Sequence, residues 1–169
     1  MAAGPADPPI EALARGHDRS SFNSGAEELD RYLKEQASQD LRRHLAAIFV
    51  AHDAGRVVGY YSLSATAIEL NDLPGDLARR LPHYPQVPAT LLGRLAVDGS
   101  WQGRRLGERL LIDALFRSLA SELASYAVVV DARDEAAARF YRRYGFMPLG
   151  QSQRRMFLPM ATVARLPHA

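Results

Sequence analysis

The 169-residue chain has no cysteine, which excludes a disulfide framework, a thiolate nucleophile and any cysteine-based zinc site. No apolar run approaches the roughly 20 residues a helix needs to cross a bilayer, so no membrane association is expected. The opening stretch, "MAAGPADPPIEALARG", has no basic start followed by an apolar segment and does not read as a signal peptide. Its proline, glycine and alanine content predicts a loosely ordered lead-in over residues 1–15, and a cytoplasmic address is the default. A G-x-G-x-x-G fingerprint is missing, which argues against a Rossmann dinucleotide domain. The histidines are scattered without paired spacing, and no metal is expected. Lysine is nearly absent too: Lys34 is the only one among 21 basic side chains.

A composition of 47% hydrophobic and 24% charged residues fits an ordinary globular protein, and the length fits one domain, here residues 16–169. The net charge is only +2, but the cations recur as arginine pairs at 42–43, 79–80, 104–105, 142–143 and 154–155. Arginine forks onto phosphate in a bidentate manner, so such pairs suit a nucleic-acid surface. They equally suit scattered, solvated surface positions, and composition alone favours the latter.

Hydrophobic periodicity predicts a helix over about Ser24–Arg43, capped by Asn23 or Ser24 and carrying Leu29, Leu33 and Ala37 at helical spacing. Two apolar strands follow, joined by the turn residues Asp53-Ala54-Gly55-Arg56. A Pro- and Arg-rich loop over 70–88 holds one short helix near Asp76–Leu81. "ATLLGRLAVD" (89–98) is a near-continuous apolar run and reads as a central strand. A helix over Arg105–Ser121 buries Leu106, Leu110, Leu111, Ala114, Leu115 and Leu119. "YAVVVDA" (126–132) is a strand, Asp134 caps a helix ended by Gly145, and "FMPLG" and "RRMFLPMATVA" are the last strand candidates.

Between the central strand and the next helix lies Gln102-Gly103-Arg104-Arg105-Leu106-Gly107. A helix start offers unpaired N–H groups and the positive end of the macrodipole, so a glycine-framed basic turn there suits an anion. The turn resembles the acetyl-CoA motif of the GCN5-related N-acetyltransferases (GNAT), Arg/Gln-x-x-Gly-x-Gly/Ala, with Arg105 in place of the middle glycine. "DEAAARFYRRYGF" (134–146) is similar to that family's closing segment, Asn-x-x-Ala-x-x-Phe-Tyr-x-x-x-Gly-Phe, with Asp134 where asparagine is common. The two motifs stand in the family's order, and the resemblance runs from about residue 17 to 165.

More narrowly, "FNSGAEELDRYLKEQASQD", "VVGYYSLSATAIEL", "GRLAVDGSWQGRRLG" and "RMFLPMATV" resemble the acetyltransferase toxins of type II toxin–antitoxin modules. The resemblance implies an α/β (α+β) GNAT fold, with a mixed central sheet flanked by helices on both faces. It implies acetyl-CoA as co-substrate, aminoacyl-tRNA acetylated on its α-amino group as acceptor, and a ribbon-helix-helix antitoxin as partner. A homodimer is an open possibility. Protein N-termini or small amines as acceptors, or a non-catalytic coenzyme A-binding module, remain alternatives.

Transferred residue by residue, the resemblance assigns main-chain contacts to the pantetheine arm and the acetyl carbonyl to Leu95, Ala96 and Val97. Gln102, Gly103, Arg104, Arg105, Leu106 and Gly107 hold the diphosphate, with Asp134 and Phe140 beside them, and Arg105 is able to add a charge-assisted phosphate contact. Tyr141 is the general acid for the departing thiolate: a phenol of ordinary pKa about 10 is protonated at neutral pH. Arg79, Arg80, Arg94, Arg142 and Arg143 are the candidate tRNA contacts. Between Thr90 and Val97 there is no carboxylate or histidine to act as base. An α-amine titrates near about 7.7–8.0 against about 10.4 for lysine, so the missing base favours an α-amine acceptor. Glu69, His83 and Asp98 remain candidates for a base acting through water.

Overall fold

A computed structural model describes residues 6–167. The strands are β1 (Ile10–Ala12), β2 (Ala47–Asp53), β3 (Arg56–Glu69), β4 (Gln86–Val97), β5 (Ala127–Asp131), β6 (Met147–Pro148) and β7 (Arg155–Pro159). They form a seven-stranded sheet in the order β1-β2-β3-β4-β5-β7-β6, parallel at β4–β5 and antiparallel at β1–β2, β2–β3, β5–β7 and β6–β7. The helices are α1 (Glu27–Arg31), α2 (Ala37–Arg42), α3 (Gly75–Ala78), α4 (Leu106–Ala120), α5 (Glu135–Arg143) and α6 (Met160–Val163). By backbone contacts the chain divides into two compact units, Met1–Leu63 with Arg94–Asp113 and Ser64–Gly93 with Ala114–Ala169.

In the first unit the sheet carries helices on both faces. Tyr60 of β3 lies in one core cluster with Tyr32, Leu33 and Ala37 of the first helical segment and with Val50, Val57 and Ala96. The neighbouring Gly59 faces the other way, toward α4, where a Cβ would stand 2.9 Å from Leu110 and 3.3 Å from Leu106. Glycine at this position lets α4 lie close to the strand. Tyr61, also on β3, donates its hydroxyl to Asp113 of α4 at 2.6 Å. Leu106, Leu110, Leu111, Ala114 and Leu115 are buried along α4, as its periodicity predicts, whereas Leu119 is only half-buried. Each fully buried leucine contributes about 2 kcal/mol of apolar burial.

The β2–β3 hairpin closes through Ala54 (φ 49°) and Gly55 (φ 91°), the two left-handed residues of a tight primed turn. In the second unit Ile68, Val87, Ala89, Ala127, Val129, Leu149 and Phe157 form a core of their own.

Three expectations need correction. The lead-in is not loose from residue 10 onward: Ile10–Ala12 pairs with Phe49–Ala51 and Leu13 is buried, while residues 1–5 lie outside the described residues. The first helix is not continuous, because Tyr32–Gln36 forms a π-helical turn between α1 and α2. Neither Asn23 nor Ser24 caps it. Ala26 is the cap residue, and the Ser24 amide and hydroxyl both donate to Asp30 instead. Finally, "RRMFLPMATVA" is strand only to Pro159, after which Met160–Val163 turns helical.

Candidate active site

The turn between β4 and α4 is built from the first unit alone. Gln102 braces it: the side-chain amide donates to the carbonyls of Val97 (3.0 Å) and Ser24 (2.9 Å). That commits Gln102 and the Val97 carbonyl to holding the turn's shape. Gly103 takes φ 79° and Arg105 takes φ 62°, so the arginine occupies the left-handed conformation for which the motif's glycine is suited. The departure in sequence is not a departure in backbone. A non-glycine residue in this region costs on the order of 1 kcal/mol, which the surrounding bracing has to sustain.

Leu106 buries its side chain and opens α4, and the first-turn N–H groups of this 15-residue helix have no partner within it. Arg104 stacks on Trp101, 4.6 Å from the ring centroid. The side chain of Arg105 is exposed and has no polar partner among the described residues. Upstream of the turn, β4 pairs with β5 only over Ala89–Leu92 opposite Ala127–Val130. The β5-side main-chain groups of Gly93–Val97, with Leu95 and Ala96 among them, lie outside that parallel ladder.

The second unit supplies the closing segment, and its signature has a local explanation. Asp134 caps α5 by accepting the Ala137 N–H at 2.8 Å, so its carboxylate has a structural duty at the helix start. At the other end Gly145 (φ 94°) donates to Arg142 O and Phe146 donates to Tyr141 O, a Schellman ending. The apolar contact that accompanies this motif is present: the Phe146 ring lies 5.4 Å from Tyr141. Phe140 stands between Tyr141 (5.3 Å) and Tyr144 (5.2 Å). Gly-Phe thus fixes Tyr141 by both backbone and ring. Tyr141 is 8% exposed, and its hydroxyl hydrogen-bonds no described residue. Burial pushes its phenol well above the ordinary range, so it stays protonated.

The chain is similar to known proteins. The acetyltransferase (GNAT) domain profile matches residues 44–148. A tRNA-acetylating toxin of Mycobacterium tuberculosis is 39% identical over 136 residues, 79% of this chain and 81% of that one. The chain belongs to the GNAT acetyltransferase family. Among solved structures, a mutant of KacT superposes with a TM-score of 0.88 at 29% identity, over 95% of this chain and 99% of that one. AtaT complexed with acetyl-methionyl-tRNAfMet gives 0.87 at 29% identity, over 94% and 98%. AtaT has also been solved with the C-terminus of its antitoxin AtaR (TM-score 0.80, 25% identity, 94% and 96% covered).

The candidate bases of this GNAT domain fare unequally. Asp98 is buried and accepts from the Asn23 amide, the Ser100 amide and the Ser100 hydroxyl. Burial alone raises its pKa, but these hydrogen bonds outweigh it and hold the carboxyl below the usual range. Asp98 is a lock between the β4 end and the 21–25 loop and a poor proton acceptor. Glu69 is exposed and accepts from Gln86 at 2.6 Å, and His83 is exposed in the loop before β4.

The arginines divide in the same way. Arg79 and Arg80 end α3 and are exposed, and Arg143 is exposed with its guanidinium 5.9 Å from the Phe140 ring. Arg142 is ion-paired to Glu135, which offsets its charge. Arg94 lies flat on Tyr32, 3.5 Å from the ring centroid.

Two groupings escaped the sequence. Glu11, His17 and His52 converge, with each histidine Nε2 on Glu11 Oε1 at 2.7 and 2.9 Å. Each Nδ1 accepts a backbone N–H, from Ala14 and from Gly55. That fixes the proton of each neutral ring on Nε2, where it is donated to the carboxylate. A metal at Nε2 needs the opposite tautomer, so the trio is a hydrogen-bonded clasp on β1, β2 and the loop after β1. Beside the π-helical turn there is also a polar pocket of about 550 Å³, walled by the Ser21–Asn23 loop and by Glu27, Asp30, Arg31, Lys34 and Glu35.

Proposed function

We propose that the protein is an acetyl-CoA-dependent N-acetyltransferase that modifies the α-amino group of aminoacyl-tRNA and so blocks translation. The observation that carries the reading is Tyr141, a buried tyrosine with a free hydroxyl, pinned by the Schellman ending of α5. The names and bound molecules of the relatives support the choice of acceptor, and the absence of a base on β4 agrees with an amine that is already partly neutral.

Acetyl-CoA fits the residues present. Its diphosphate is an anion, and the turn at 103–107 offers main-chain donors at a helix start with no carboxylate between Gln102 and Gly107. The β5-side main-chain groups of Gly93–Val97, outside the β4–β5 ladder, suit the amide-rich pantetheine arm, and an N–H at Leu95 or Ala96 polarises the acetyl carbonyl. The neutral amine attacks that carbonyl carbon, the carbon–sulfur bond breaks, and Tyr141 gives its proton to the sulfur. The amine's surplus proton leaves to water.

The tRNA is held by its phosphates through Arg79, Arg80 and Arg143, with Arg142 weakened by Glu135. Log affinity then falls with log salt by roughly 0.7 to 0.9 per phosphate neutralised. Among the described residues no helix is long and apolar enough to cross a membrane, and we place the protein in the cytoplasm with its tRNA substrate. A ribbon-helix-helix antitoxin and self-association as a homodimer complete the proposal.

Cell-free translation tests it. Block is expected only with both protein and acetyl-CoA present, and fresh charged tRNA restores synthesis. Undiminished translation under those conditions contradicts the reading.

A further inference from the structure

Arg94 sits on the strand that carries the chemistry, yet the steps above leave its charge unused. The guanidinium is seated 3.5 Å over Tyr32 and makes no hydrogen bond or ion pair with any described residue. Its seat is rigid. Tyr32 is buried, donates its hydroxyl to Asp40 at 2.7 Å and stacks near-parallel on Tyr60 (6.4 Å, 15°). Tyr60 in turn donates to the Leu29 carbonyl at 2.6 Å. The π-helical turn that begins at Tyr32 belongs to this arrangement, as π-turns often do at functional positions. The protein therefore holds a cation on aromatic rings with no carboxylate in contact.

Resting on the proposed function, the thioester lies along Gly93–Val97, so the attacking amine comes within several ångströms of residue 94. Gly93 is exposed and Arg94 and Leu95 are half-buried, so an acceptor reaches the strand there, whereas Ala96 is closed off. A fixed positive charge disfavours the ammonium form of a neighbouring amine. We infer that the Tyr32-seated Arg94 keeps the acceptor amine neutral, taking electrostatically the part that a general base plays elsewhere. The ammonium sheds one proton to water before attack, the neutral amine's lone pair forms the N–C bond, and the electron pair of the C–S bond leaves on sulfur, which takes its proton from Tyr141. The second proton leaves the new amide nitrogen to water, from which Tyr141 is reprotonated.

The surrounding groups are fixed in charge. Burial and the hydrogen bond to Asp40 push the Tyr32 phenol up to about 12, and burial pushes Tyr60 higher still, so both stay neutral. Hydrogen bonds from Gln36 and Tyr32, with Arg94 and Arg43 adding, hold Asp40 below the ordinary carboxylate range, so it is ionised at neutral pH. Asp30, near Tyr60, is engaged by Ser24. Arg94 is the only titratable or charged side chain between Thr90 and Val97. Asp40, beyond the Tyr32 hydroxyl, offsets part of its field.

This arrangement gives two substitutions opposite signs. The measurement is kcat, at saturating acetyl-CoA and charged tRNA, between pH 5.5 and 8.5, because the profile of kcat reports the ionisation of the bound amine. Arg94→Gln is expected to raise the midpoint of the acid limb by about one pH unit. Activity then falls about tenfold at pH 6 and by less than threefold at pH 8.5. Arg94→Lys restores the limb, and Asp40→Asn moves it the other way. General damage lowers the rate at every pH alike and cannot move two variants in opposite directions. An unmoved acid limb in Arg94→Gln overturns the inference. If Arg94→Gln fails to fold, Asp40→Asn leaving the limb in place overturns it. A wild type that acetylates a peptide amine but never charged tRNA defeats the proposed acceptor instead, and the same profile on the peptide still decides the role of Arg94.

Discussion

The turn at 102–107 and the closing segment at 134–146 both match a family motif, but they keep their motifs by different means. In the turn the middle glycine is replaced by Arg105, yet the backbone holds the left-handed conformation at φ 62°. In the closing segment every side chain that defines Tyr141's surroundings is present, and the backbone ending around Gly145 serves to hold them. Recognition by main-chain N–H groups tolerates a changed side chain so long as the path of the chain survives. The proposed proton donor is a side chain, so its role depends on Tyr141 itself.

Substitution at each place should break this contrast in a graded way. Tyr141→Phe is expected to lower kcat by about 100-fold or more while leaving acetyl-CoA affinity within threefold. Because burial raises the Tyr141 pKa, the acid form persists above pH 10, and the wild-type rate should show no alkaline fall from this group between pH 7 and 9.5. A fall in that range that disappears in Tyr141→Phe contradicts the assignment.

Gly145→Ala forces a Cβ onto a residue at φ 94° and should cost about 1–2 kcal/mol, or several degrees of melting temperature for a chain this size. Transfer should drop with it, since the Tyr141 carbonyl and ring lose their anchor. Asp134→Ala removes the α5 cap and should cost about 1 kcal/mol without altering acetyl-CoA affinity. A tenfold loss of affinity would restore Asp134 to the cofactor site.

The smallest change is expected at Arg105→Gly, which relieves left-handed strain and should stabilise the protein by less than about 1 kcal/mol. Its acetyl-CoA affinity should stay within threefold. A tenfold loss would show that the arginine side chain, and not the turn's backbone, carries the phosphate contact.

The parts of the site that were legible in the sequence are those made within a few residues. The Asp134 cap, the Gly145 ending and the Ala54-Gly55 turn each depend on neighbours along the chain, so residue type at a fixed offset announces them. The strand 89–98 and the α4 stripe were legible from apolar pattern alone. What escaped detection depends on partners from different elements. Nothing near Arg94 in sequence points to Tyr32, and nothing near Glu11 points to His52. The π-helical turn at Tyr32–Gln36 is likewise invisible to a periodicity count, because a single wide turn shifts the register by less than the spread of the pattern. Asp98 looks like a free carboxylate until its three donors, from Asn23 and Ser100, are in place.

The most direct test of the central claim gives the protein labelled acetyl-CoA and a fully charged tRNA pool, with uncharged tRNA and a peptide as controls. The account expects label on charged tRNA alone, released as N-acetylated amino acid by mild alkaline hydrolysis. Label on the peptide with none on charged tRNA, or coenzyme A bound with no label transferred to any amine, would contradict it.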